Sequence, residues 1–122
     1  MNITDFLLAR IAEDEVTAGA ALNDQVSVPV GATVWHQSTM PHVARHNPAR
    51  VLAECKAKRA IIAEHGRDEA SSGDYCETCA EWWKYEVGEG APPVAYPCTT
   101  VRALAAVYAD HPDYLQDWSS QT

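Results

Sequence analysis

No apolar run in this chain approaches the roughly 20 residues a helix needs to cross a bilayer, so a membrane-spanning role is not expected. The first residues, MNITDFLLARIAEDE, lack both the basic start and the small-residue cleavage site of a signal peptide. A cytoplasmic, reducing setting is therefore the expectation, and there cysteines serve as thiols or metal ligands more often than as disulfides. Basic side chains are scarce. Nine Lys and Arg stand against 17 Asp and Glu, a net charge of −8. An even charge of that sign repels phosphate, so the expected partner is another protein with a basic surface and not nucleic acid. No internal repeat or low-complexity tract interrupts the 122 residues, a length that suits one domain over 1–122.

Catalytic motifs are also missing. Base deamination on zinc needs a His-x-Glu and a Pro-Cys-x-x-Cys. The stretch PCTTV begins like the second of these but lacks its second cysteine, and no His-x-Glu occurs. Ser71, Ser72 and Thr99 have no adjoining motif that would make a nucleophile, and Gly88 and Gly90 in VGEGAPP read as a turn, not a phosphate loop.

What the chain does hold begins with helices. Ile3, Phe6, Leu7 and Ile11 fall on one stripe of a helix expected over 3–22, capped by Asn2. QVSVPV then alternates, and with Gly31-Ala32 as a turn and TVWHQ as the return it predicts a small hairpin, Pro29 keeping its first strand at an edge. In RHNPARVLAECKAKRAIIAEHG, Asn47 is a good N-cap, Pro48 fits the first helical position and Gly66 suits the C′ stop. Between them Leu52, Cys55, Arg59 and Ile62 recur at helical spacing. Residues 67–73 read as a loop, WWKYEVGEGAPPVAYP as an irregular strand pair broken at 88–93, and 98–109 as a third helix after Pro97. His111-Pro112 opens a last turn or two, with Tyr114 and Trp118 sealing that end. Trp82 is expected under the first helix and Trp83 half-buried.

The strongest chemical signal is DYCETCAEWW. Cys76 and Cys79, two residues apart, can converge as thiolates on one ion, and zinc asks for four such ligands in a tetrahedron. Cys98, after 18 intervening residues, is the natural third, because it stands at an expected helix N-terminus where the dipole favours thiolate. A knuckle on a ribbon followed by a ligand at a helix start is similar to a treble clef. The pattern is incomplete, since Val101 stands where a fourth ligand would follow one turn into the helix. His65, at the end of the second helix and one loop before the knuckle, is the choice for that fourth place, although a histidine there also suits the helix dipole alone.

The rivals for it are Cys55, which reads first as a buried thiol on the apolar stripe, His42 and His46, which are four apart and could share a helix face but read first as flanking a short turn before Asn47, and His111, which reads as a cap or turn-bonding side chain. His36 alternates within a strand and nothing marks it. A thioredoxin-like pair would need a preceding βαβ unit, and Glu77 works against thiolate formation there.

The segments DFLLARIAEDE, HVARHNPARVLAECKAKRAIIAEH, the Cys-x-x-Cys and PCTTVRALAAVYADHPDYLQDW together resemble a family of small actinobacterial and actinophage proteins catalogued as a domain of unknown function. The resemblance implies such a source and no mechanism. For a phage protein, it implies a small acidic accessory protein that binds a host component.

The resulting expectation is an α+β domain, about three helices packed on a small antiparallel β ribbon, stapled by one structural zinc at Cys76, Cys79, Cys98 and His65. It would bind a protein and do no catalysis. Two other readings remain. One is a zinc-ribbon regulator that meets nucleic acid through Arg45, Arg50, Lys56, Lys58 and Arg59, and the other is a Cys-x-x-Cys thiol-disulfide protein.

Overall fold

The computed structural model describes residues 1–23, 39–67, 74–80 and 94–119. Among the described residues the fold is built on helices α1 (Ile3–Asn23), α2 (Thr39–Arg45), α3 (Pro48–Glu64) and α4 (Thr99–Ala106), with a helical turn over 77–80 and a 3-10 turn over Gln116–Trp118. Helix α1 starts where a side chain can replace the missing backbone acceptor: Asn2 Oδ1 accepts from the Asp5 N–H at 2.8 Å. Asp5 itself lies in the first turn, where a negative charge suits the dipole. Helix α3 repeats the device, with the Arg50 N–H donating to Asn47 Oδ1 at 2.9 Å and Pro48 placed where no N–H is needed.

The core forms around α1. Ile3, Phe6, Leu7 and Ile11 are all buried, on the stripe that their spacing predicts. Helix α3 lies along α1 and buries only Cys55 and Ile62, and α4 buries Val101 and Ala105. Past α4 the chain tightens into 3-10-like turns, with the Tyr108 and Ala109 N–H groups bonded to the carbonyls of Ala105 and Ala106, so the helix ends at Ala106 rather than at 109. This bend returns Tyr108, Tyr114 and Trp118 to Phe6, whose ring centroid lies 6.3, 6.0 and 5.0 Å from theirs. Polar ties reinforce the packing. Arg59 of α3 grips both carboxylate oxygens of Glu15 on α1, at 2.7 and 2.8 Å, and the Tyr108 hydroxyl donates to Asp14 at 2.7 Å.

The α+β expectation is overturned. About 70% of the described residues are helical and none belongs to a strand or sheet. In place of a ribbon there are two isolated bridges, Arg67 with Cys76 and Tyr75 with Ala95. Among the described residues the pairing extends no further, for a local reason. Residues 77–80 turn helical immediately after Cys76, and on the other side Pro97 has no N–H to offer a ladder. The expected hairpin over 25–37, most of the strand pair expected over 82–97 and both Trp82 and Trp83 lie outside the described residues, and the described end of that pair, 94–97, carries only the Ala95 bridge.

Two smaller expectations also change. His42 and His46 do not flank a turn. His42 is inside α2, the His46 N–H bonds to the His42 carbonyl at 2.9 Å, and their rings share a face with centroids 4.6 Å apart. Gly66 does follow the helix end as C′, but its backbone is not left-handed and a Cβ there would meet only the Ala63 carbonyl, at 3.8 Å.

Candidate metal centre

Three separate segments deliver four ligand atoms to one point. Helix α3 ends at Glu64 and leaves His65 as its C-cap, its N–H bonded to the Ile61 carbonyl at 3.1 Å. The Cys76 N–H bonds to the Val94 carbonyl and the Tyr96 N–H to the Asp74 carbonyl, at 2.9 and 2.8 Å, which pins residues 74–76 against the segment leading to Cys98. A helical turn then carries Cys79 round beneath Cys76, closed by the Ala80 N–H on the Cys76 carbonyl at 2.9 Å. Cys98 is the N-cap of α4. The Glu77 N–H on the Gly66 carbonyl (2.9 Å) and the Thr78 hydroxyl on the Glu64 carbonyl lock this turn to the end of α3.

The four ligand atoms lie within 4.8 Å of one another. His65 Nδ1 is 3.6, 3.4 and 3.6 Å from the sulfurs of Cys76, Cys79 and Cys98. One ring nitrogen carries a single proton or a single lone pair, so it cannot make hydrogen bonds to three sulfurs at once. The spacing is instead that of ligands around an ion. With metal–sulfur bonds of about 2.3 Å and metal–nitrogen bonds of about 2.05 Å, a tetrahedral centre places nitrogen and sulfur about 3.5 Å apart. All four cysteines are free, so no disulfide accounts for the convergence.

The electrostatics match that reading. Burial pushes the Cys98 thiol up, but the backbone N–H groups of Val101 and Thr100 and the thiols of Cys76 and Cys79 outweigh it, and Cys98 is held below the usual thiol range although no regular capping hydrogen bond forms. Cys79 goes the other way, pushed up to about 12 by burial and then by its hydrogen bond with Cys76 and by the neighbouring sulfurs. A bound dication would reverse the penalty on the Cys79 thiolate. The site is half-shielded from solvent. Cys76 and Cys98 are 0% and 2% exposed, while His65 and Cys79 are intermediate. A hollow of about 570 Å³ lies beside it, walled by Asn2, Thr4, Gly66, Arg67, Asp74, Tyr96 and Pro97, and none of the four candidate ligands lines it.

The rivals for the fourth position lie elsewhere. Cys55 is 1% exposed inside the hydrophobic core, its thiol raised by burial and by the Asp14 charge. His42 of α2 and His46, just past its end, pair with each other. His111 packs edge-on against Phe6, stands 2.9 Å from Arg10 Nη1 through Nδ1, and accepts the Asp113 N–H at 3.1 Å. Sequence reading overlooked Arg10, a charged residue buried on the apolar stripe of α1 that also pairs with Glu13 at 2.8 Å. Its position between Leu7 and Ile11 was the available signal. It overlooked Thr78 as well, whose role depends on where α3 ends.

A family model matches residues 1–120. The chain belongs to DUF6221, a family of unknown function. No curated protein and no solved structure matches it. Among the described residues no helix is long and apolar enough to cross a membrane.

Proposed function

We propose that His65, Cys76, Cys79 and Cys98 hold one structural zinc ion, and that the stapled domain acts by binding another protein and has no catalysis of its own. The near-equal 3.4–3.6 Å spacing of His65 Nδ1 from the three sulfurs supports the first part most strongly. Soft thiolates with one imidazole suit zinc among the common divalent ions. Four protein ligands fill its tetrahedron and leave no position for a water, which is the pattern of a structural site. The second part rests on the net charge of −8, which favours a partner with a basic surface. Two of the cations that nucleic acid would require are already paired, Arg50 with Glu54 at 3.0 Å and Arg59 with Glu15. The resembling segments suggest a source in an actinobacterium or one of its phages, and a phage source would make a host protein the partner.

Elemental mass spectrometry on the untagged chain tests the site. One zinc per chain is expected, lost in Cys98→Ser and weakened in His65→Ala. A metal-free chain whose Cys76 and Cys79 thiols react rapidly would overturn the proposal and favour thiol-disulfide chemistry.

A further inference from the structure

We infer that the zinc staple is released by peroxides, through a disulfide between Cys76 and Cys79. This rests on the zinc reading above. The four ligands are not equally shielded: Cys76 and Cys98 are sealed at 0% and 2% exposure, whereas Cys79 is the one cysteine of the three that is only half-buried. Zinc keeps that sulfur as a thiolate, the form that attacks peroxides. The fourth cysteine of the chain, Cys55, is 1% exposed and lies outside the cluster.

The backbone decides which sulfur completes the reaction. Residues 76–80 form a helical turn, closed by the Ala80 N–H on the Cys76 carbonyl at 2.9 Å. In such a turn Cα atoms three residues apart are separated by about 5 Å, which lies within the roughly 4.4–6.8 Å span of a disulfide. The Cys76–Cys79 bond therefore asks only for side-chain rotation. Cys98 belongs to a different segment and caps α4.

The chemistry balances with one hydrogen peroxide. The Cys79 thiolate attacks one peroxide oxygen, the O–O bond breaks, and the departing hydroxide takes a proton from solvent to become water. Cys79 is then a sulfenic acid. The Cys76 thiolate attacks that sulfur, the S–O bond breaks, and the second hydroxide leaves as water with a second solvent proton. Two thiolates are oxidised by two electrons in total and one peroxide is reduced to two waters. The zinc keeps only His65 and Cys98, too few ligands to hold it, and the link between the end of α3, the 74–80 turn and the start of α4 opens.

The test uses the zinc-loaded full chain, titrated with hydrogen peroxide while a chromogenic chelator reports free zinc and peptide mapping locates disulfides. The expected result is one zinc released per disulfide formed, that disulfide joining Cys76 to Cys79, with Cys55 alkylated only after unfolding. Dithiothreitol followed by zinc should restore the loaded state. Zinc retained under excess peroxide, or released with a disulfide to Cys98 or with sulfinic acid in place of a disulfide, would overturn the inference and leave the structural zinc standing. A chain isolated without zinc would remove both.

Discussion

Two regions of this molecule join distant parts of the chain by opposite means. Around Phe6, the rings of Tyr108, Tyr114 and Trp118 close on a helix about a hundred residues earlier, and the attraction is the removal of apolar surface from water. At His65, Cys76, Cys79 and Cys98, polar groups from three segments converge. The first contact stabilises whenever the chain is folded. The second brings together three thiols, two buried and one half-buried, and under the zinc proposal it is a cation that would make this convergence favourable. On the zinc proposal one end of the fold is self-sufficient and the other conditional, although both belong to one core, in which Cys76 and Cys98 pack in the same buried cluster as Phe6.

The largest effect should come from removing that condition. If the zinc is structural, a strong chelator should lower the melting temperature by roughly 10 °C or more in calorimetry, and Cys98→Ser should start from the lowered value and not respond to the chelator. Identical melting with and without chelator would erase the contrast between the two regions. Phe6→Ala comes next. Loss of a fully buried ring should cost about 3–5 kcal/mol by urea unfolding, while the folded variant should still carry one zinc per chain. Loss of zinc in that variant would mean that the aromatic end supports the cluster more directly than drawn here.

Smaller effects sharpen the picture along α3, which runs from the Asn47 cap to the His65 ligand. Asn47→Ala removes the acceptor for the Arg50 N–H and should cost about 1 kcal/mol, with zinc affinity unchanged because the cap lies at the opposite end of the helix from His65. The smallest effect is that of acid on the α1–α3 tie. The hydrogen bond from Arg59, aided by its charge and opposed by burial, holds the Glu15 carboxyl below its ordinary 4.5. A carboxyl lowered by folding stabilises the fold above its unfolded value, and that contribution is lost as the pH falls through the lower folded one. The difference in melting temperature between the wild type and Arg59→Met should thus be small and constant above pH 5 and shrink below pH 4.5. A difference that grew in acid would contradict the tie.

Much of the helical frame was legible because its signals are local. Asn2, Asn47 and Pro48 act on backbone groups within three residues of themselves, and the Ile3, Phe6, Leu7 and Ile11 stripe needs only a helix period. The ribbon was misread because Cys-x-x-Cys in zinc ribbons usually sits between strands, and nothing local in DYCETCAEWW shows that 77–80 would turn helical instead. His42 and His46 were misread for a similar reason, since seven residues ahead of a cap can be either a helix or a turn.

By itself the sequence determined where α1, α3 and α4 begin, which apolar stripe α1 buries, and that Cys76 and Cys79 share one short turn. These depend on propensities and caps that act within a few bonds. Only the tertiary structure decided that His65, and not Cys55, His42, His46 or His111, meets the three sulfurs. That choice depends on where α3 ends relative to a turn some ten residues later and to the start of α4 more than thirty residues later. It is a matter of long-range packing, which no local pattern encodes.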